Sequence, residues 1–152
     1  MPNPPLQFHS GTPAPGRLDR PAGNHLPRRR LLVVDDDESV RALVARVAKE
    51  LSFDVEIATD GHLGAERLAA ARFDLLVTDI HMPEKDGLEL IRIARRLQPT
   101  LPIVAMSGGY SYGVSILRTA KLMGASVVLS KPLELSLLIE TLGKFGHEPP
   151  VA

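Results

Sequence analysis

A handful of residues in this sequence carry groups that can do chemistry together. Asp35, Asp36 and Asp37 form one acidic run, Asp79 closes an apolar stretch, Ser107 precedes two glycines, and Lys131 precedes a proline. Carboxylates are hard oxygen donors, and Mg²⁺ accepts one or two of them alongside waters and phosphate oxygens. Carboxylates held close together repel one another and raise some of their own pKa values, a penalty that a bound divalent cation reverses. A hydroxyl and an ammonium beside them would meet the oxygens of an anion. Taken singly, each residue has an ordinary reading, since an acid at a strand end is most often a cap or turn residue. Their meaning depends on whether the chain brings them together.

The elements that would position them follow from periodicity. Leu31 to Val34 is a compact apolar run that suits a strand buried on both faces. Val40, Leu43, Val44, Val47 and Leu51 then recur at helical spacing, with charged residues on the other faces. Val55 and Ile57 mark a second strand, and Asp60-Gly61 turns the chain into a helix holding Ala65, Leu68 and Ala69. Asp74 to Asp79 reads as a third strand; a loop with Pro83 and Gly87 leads to a helix holding Leu90, Ile91, Ala94 and Leu97, stopped by Pro99. Ile103 to Ser107 is a fourth strand broken by Gly108-Gly109, and Val114, Leu117 and Ala120 predict a helix ended by Gly124. Ser126 to Ser130 is a fifth strand, followed by a helix through Leu135, Leu138, Ile139 and Leu142. The alternation is (βα)5, an α/β pattern that predicts a parallel sheet with right-handed crossovers and helices on both faces.

Ligands of open α/β sheets bind outside the carboxyl ends of the strands. Asp35 and Asp36, Asp79, Ser107 and Lys131 follow or close the first, third, fourth and fifth strands, so the topology gathers three acids, a hydroxyl and an ammonium at one edge. Four blocks in this order, Leu-Val-Val-Asp-Asp-Asp-Glu-Ser (32–39), Val-Thr-Asp-Ile-His-Met-Pro-Glu-Lys-Asp-Gly (77–87), Ser107 and Ser-Lys-Pro (130–132), resemble the receiver domains of two-component response regulators. The resemblance covers residues 30–145. It implies a doubly wound, flavodoxin-like parallel sheet with strand order 2-1-3-4-5.

The same resemblance implies roles. Asp79 is the phosphoacceptor, a carboxylate nucleophile on phosphorus. The cofactor is Mg²⁺, with Asp36 and Asp79 as direct ligands, Asp35 acting through water, and the His81 backbone carbonyl giving another oxygen. Ser107 and Lys131 meet the remaining phosphoryl oxygens, since phosphoryl transfer rests on positioning and on neutralising the equatorial oxygens. Asp37 is a cap or loop residue. A cis Lys131-Pro132 bond is expected, and Gly108 is read as room for a phosphoryl group. The side chain of His81 and Gly109 occupy positions that tune water access in receivers. One departure is visible: Val128 and Leu129 stand where many receivers carry an aromatic switch residue, so switching is expected to use loop 108–113 with Tyr110 and Tyr112.

Composition sets the limits. Zero net charge gives no global field for nucleic acid, and the absence of cysteine excludes disulfides, thiol catalysis and Cys-ligated zinc. No apolar run approaches the roughly 20 residues that span a bilayer. Residues 1–29 hold seven of the thirteen prolines and show no apolar periodicity, which predicts a disordered arm ending in Arg28, Arg29 and Arg30. Residues 146–152 form a short tail. The expectation is a stand-alone cytoplasmic receiver without an output domain, a monomer or weak homodimer, binding neither nucleic acid nor membrane. A histidine kinase or histidine phosphotransfer protein would be the donor, and an unidentified protein the downstream target, contacted through the fourth and fifth helices. Such a domain is a regulator rather than an enzyme in the turnover sense. The alternatives are a non-phosphorylated pseudo-receiver, which would lack a site residue, and a haloacid-dehalogenase-type phosphatase, which needs an acid where His81 stands.

Overall fold

A computed structural model of the chain describes residues 27–82, 87–108 and 113–146. The proposed arm up to residue 26, Pro83, the loop residues Gly109, Tyr110 and Tyr112, and the tail beyond Gly146 lie outside the described residues. Ten elements alternate: β1 Arg30–Val34, α1 Glu38–Glu50, β2 Asp54–Ala58, α2 Gly61–Ala70, β3 Leu75–Asp79, α3 Gly87–Leu97, β4 Ile103–Ser107, α4 Gly113–Met123, β5 Val127–Ser130 and α5 Leu135–Gly146. The five strands are parallel in the order β2-β1-β3-β4-β5, the flavodoxin-like arrangement.

Alternation along each strand sorts its side chains between two cores. Leu31, Val33, Leu75, Val77, Val104 and Met106 pack with Val44, Val47 and Ala48 of α1 and with Leu138 and Leu142 of α5. Leu32, Val34, Leu76, Ile103 and Ala105 pack with Leu68 of α2, Leu90, Ile91 and Ala94 of α3, and Ala120 of α4. The central strands are therefore apolar along most of their length, because both faces are covered. β5 is different: as an edge strand it buries only Leu129 well, and its other residues are half-buried or exposed. The fifth strand read from Ser126 to Ser130 forms as Val127–Ser130, at the edge of the sheet.

Local signals set the ends of the elements. Asp37 is the N-cap of α1, its Oδ1 accepting from the N–H groups of Ser39 at 2.8 Å and Val40 at 3.3 Å. Such a cap stabilises a helix by about 1 kcal/mol. Asp60 caps α2 by accepting from the Leu63 N–H at 2.8 Å. Gly124 follows α4 with φ +117°, where an L side chain would be strained and would also strike the Arg95 guanidinium. β3 begins at Leu75 rather than Asp74, and the Asp74 carboxylate instead accepts from the Arg30 N–H at 2.7 Å.

The amino-terminal edge of the sheet is tied by two polar side chains. Arg95 donates to the carbonyls of Pro99 at 3.1 Å, Leu101 at 2.6 Å and Gly124 at 2.5 Å, joining the turns that precede β4 and β5. Buried Gln98 accepts from the Phe73 N–H and donates to the carbonyls of Leu68 and Ala71, holding the α2–β3 turn. The buried Gln98 amide is thus partnered through both its oxygen and its nitrogen, as burial requires. The carboxyl-terminal edge remains for the site.

Candidate functional site

β1 and β3 lie side by side at the centre of the sheet, and the chain leaves β1 toward β2 on one side and β3 toward β4 on the other. This is the topological switch point, where the carboxyl edge opens. Asp35 and Asp36 follow β1 and Asp79 closes β3, so carboxylate oxygens of all three lie within 4.8 Å of one another. Asp35 is fully buried and Asp79 is 4% exposed, whereas Asp36 is exposed.

The three acids differ in what already holds them. Asp35 Oδ1 accepts from the Asp37 N–H at 2.9 Å, and its Oδ2 accepts from Lys131 Nζ at 2.7 Å. Asp36 has no hydrogen-bond partner or ion pair among the described residues. Asp79 Oδ1 is buried without a well-aligned hydrogen bond, with the Lys131 ammonium 3.4 Å away as a charge contact. Among the described residues it is the buried side-chain polar atom left without a hydrogen bond. Burial pushes the Asp79 carboxyl above its ordinary value of 3.8, and Asp35 adds to the rise; Lys131 and a backbone hydrogen bond from His81 oppose it without cancelling it. Lys131 moves above its own ordinary value: burial alone would lower it, but the hydrogen bond to Asp35 and the charges of both acids outweigh that.

Lys131 reaches the cluster from the end of β5, and the Lys131-Pro132 peptide is cis as expected. Its main-chain N–H donates to the Ser107 carbonyl at 2.7 Å. Ser107 closes β4, 7% exposed, one residue beyond Met106, which pairs in register with Asp79. Gly108 also makes room for a neighbouring side chain. A Cβ there would meet the Lys131 stem at 3.1–3.2 Å, so the glycine makes room for the lysine side chain on its way to the acids. Gly87 is stricter still: a Cβ would lie 1.9 Å from the Asp79 carbonyl oxygen and 2.7 Å from Ile80 Cα. Only glycine lets α3 start against the end of β3, where its N–H donates to the Ile80 carbonyl at 2.9 Å.

The His81 side chain is exposed, and its backbone N–H rather than its imidazole reaches Asp79. Val128 packs half-buried against the α2–α4 core and Leu129 is buried on the α1–α5 side, so β5 contributes no aromatic. Sequence reasoning missed Arg41, whose guanidinium donates to the Asp35 carbonyl at 2.7 Å. Two clefts of about 320 and 300 Å³ lie at the opposite, amino-terminal edge, around Leu97 and Gln98. The acid cluster, with its orphaned carboxylate oxygen and all-oxygen donors, is the place whose chemistry fits a hard cation.

The chain resembles known proteins in sequence and fold. The response regulator receiver domain pattern matches residues 31–143. The response regulator receiver protein CpdR of Brucella abortus (strain 2308) is 33% identical over 116 residues, which cover 76% of this chain and 95% of CpdR. The DNA-binding transcriptional regulator NtrC of Rhizobium meliloti (strain 1021) is 31% identical over 119 residues, 78% of this chain and 24% of NtrC. The chain thus spans about a quarter of that curated relative's length. Among solved structures, a CheY-like response regulator receiver domain protein from Methanospirillum hungatei JF-1 superposes with a TM-score of 0.72 at 25% identity, covering 78% of this chain and 94% of that one. Fold and site together define a receiver domain of two-component signalling, a regulatory rather than a metabolic module. The chain belongs to the response regulator receiver domain family.

Proposed function

We propose that this chain is a phosphoacceptor of a two-component phosphorelay, in which Asp79 takes a phosphoryl group in a Mg²⁺-dependent reaction and thereby switches protein–protein interactions. The observation that carries the reading is the Asp79 carboxylate oxygen, buried, unbonded and faced by an ammonium 3.4 Å away. A purely structural buried aspartate would be expected to have both of its oxygens hydrogen-bonded.

Mg²⁺ would be held directly by Asp36 and Asp79 and by the His81 carbonyl, with Asp35 acting through water because both its oxygens already accept hydrogen bonds. When bound, it supplies positive charge against the acids and the oxygens of the transferring group. In the transfer, an Asp79 oxygen forms the new P–O bond while the donor's P–N bond breaks. The electron pair leaves on the donor imidazole, which takes up a proton. Lys131 neutralises one phosphoryl oxygen, and the Ser107 hydroxyl donates to another. A histidine kinase or histidine phosphotransfer protein fits as donor, with an unidentified protein as target. No helix among the described residues is long and apolar enough to cross a membrane. Cytoplasmic operation, as a monomer or weak homodimer without nucleic acid, belongs to the same reading.

The test is labelling by a small acyl-phosphate donor in the presence and absence of Mg²⁺. Wild-type protein is expected to label only with the metal, and Asp79→Asn not at all. Labelling that persists in Asp79→Asn would overturn the assignment.

A further inference from the structure

β1 ends its ladder at Val34, paired with Ala58 on one side and Thr78 on the other. The next residue, Asp35, is fully buried and its N–H still donates to the Ala58 carbonyl at 3.3 Å, but its own carbonyl has no backbone partner among the described residues. A buried carbonyl needs a donor, and Arg41 supplies it: from the first turns of α1 its side chain folds back and donates Nη1 to the Asp35 carbonyl at 2.7 Å. No carboxylate pairs with this guanidinium among the described residues. The peptide that carries the Asp35 carbonyl also carries the Asp36 nitrogen, so the bond fixes the backbone from which Asp36 projects. On the far side Asp37 holds the same turn, its N–H on Asp35 Oδ1 and its own carboxylate capping α1. The Asp36 side chain has nothing else among the described residues to aim it.

We propose that Arg41 is a positioning residue for the cation site: by holding the Asp35 carbonyl it sets the direction of Asp36 toward Asp79. The inference rests on the reading above that these acids hold Mg²⁺. It makes a prediction opposite in sign to simple electrostatics. Arg41 is a cation near a cation site, so removing its charge should tighten Mg²⁺ binding if charge were all that mattered. Removing a group that orients a ligand from behind instead weakens metal binding, typically by 10–100-fold.

The experiment is calorimetric titration of the folded proteins with MgCl₂ at low temperature, with folding of each variant verified by circular dichroism. Arg41→Met is expected to bind about tenfold or more weakly than wild type. Arg41→Lys, which keeps the charge and one donor, should recover much of the loss. Arg46→Met is the control, since Arg46 lies on the same helix, exposed, and among the described residues pairs only with Glu50. Hydrogen exchange of the metal-free proteins gives a second readout, with faster exchange at Asp36 and Asp37 expected in Arg41→Met. Unchanged or tighter Mg²⁺ binding by Arg41→Met, with unchanged exchange, overturns the proposal. Failure of wild type itself to bind Mg²⁺ is a distinct result that removes the reading beneath it and the proposal with it.

Discussion

Lys131 and Asp35 are joined by an ion pair of 2.7 Å across 96 residues of sequence, from the end of β5 to the end of β1. The same ammonium stands 3.4 Å from Asp79 Oδ1, so one cation restrains two buried acids. Removing it leaves both carboxylates without their counter-charge. Lys131→Met is therefore expected to destabilise the metal-free domain by about 3 kcal/mol, the low end for a broken buried pair, since the site opens to solvent at Asp36. Urea unfolding measures this, and added Mg²⁺ should restore part of the loss. A variant as stable as wild type without metal would show that the bridge contributes nothing.

The raised pKa of Asp79 has a signature in pH. Between the ordinary value of 3.8 and the raised folded value, the folded state binds more protons than the unfolded chain. The contribution of Asp79 to metal-free stability is therefore greatest at low pH and falls as pH rises through that window. Asp79→Asn abolishes the charge that burial opposes, and is expected to raise metal-free stability at neutral pH by about 1–3 kcal/mol. Urea midpoints across pH compare the two, and the variant should lack the decline assigned to Asp79.

Lys131 should shape the alkaline side with the opposite partner chemistry. Its folded pKa lies above 10.5, so its stabilising contribution is fully present below that value and is lost as pH rises through the folded one. Lys131→Met is expected to lose this alkaline component, which subtraction of the two pH profiles would isolate.

Gly87→Ala tests the contact between α3 and the phosphoacceptor strand. The added methyl would collide with backbone atoms of Asp79 and Ile80, which cannot rotate away. A loss of about 2 kcal/mol or more is expected from overpacking, with slower Asp79 labelling because the strand end must shift. Thermal unfolding and acyl-phosphate labelling check the two parts separately.

Arg95→Met separates stability from chemistry. It would strip donors from the carbonyls of Pro99, Leu101 and Gly124, at the edge of the sheet away from the acids. The expected cost is about 2 kcal/mol, with the labelling rate of the remaining folded protein unchanged.

Much of this was legible in the sequence because the central strands leave no choice. Runs such as Leu31 to Val34 and Leu75 to Val77 need cover on both faces, and the helices between them carry one apolar stripe each. Asp35, Asp36, Asp79, Ser107 and Lys131 could be placed on one edge by topology alone. The uses of the glycines were harder to read. Gly108 makes room for the stem of a lysine 23 positions later, and Gly87 for a carbonyl eight positions earlier, contacts that no local periodicity encodes. Arg41 was hidden for a related reason: its partner is a main-chain oxygen, and sequence patterns record side chains. The same holds for Arg95 and Gln98, whose partners are main-chain groups of neighbouring turns.

The sorting of alternate residues between two cores limits how the gene can change in length. Inserting one codon inside β3 would turn its apolar residues toward the wrong halves of the molecule. It would also carry Asp79 forward by about 3.3 Å, nearly the whole 3.4 Å that separates it from Lys131. Codons gained or lost in the turns at the amino-terminal edge displace no residue of the acid cluster. Indels in descendants of this sequence should therefore accumulate at one end of the sheet, while the strands keep their reading length.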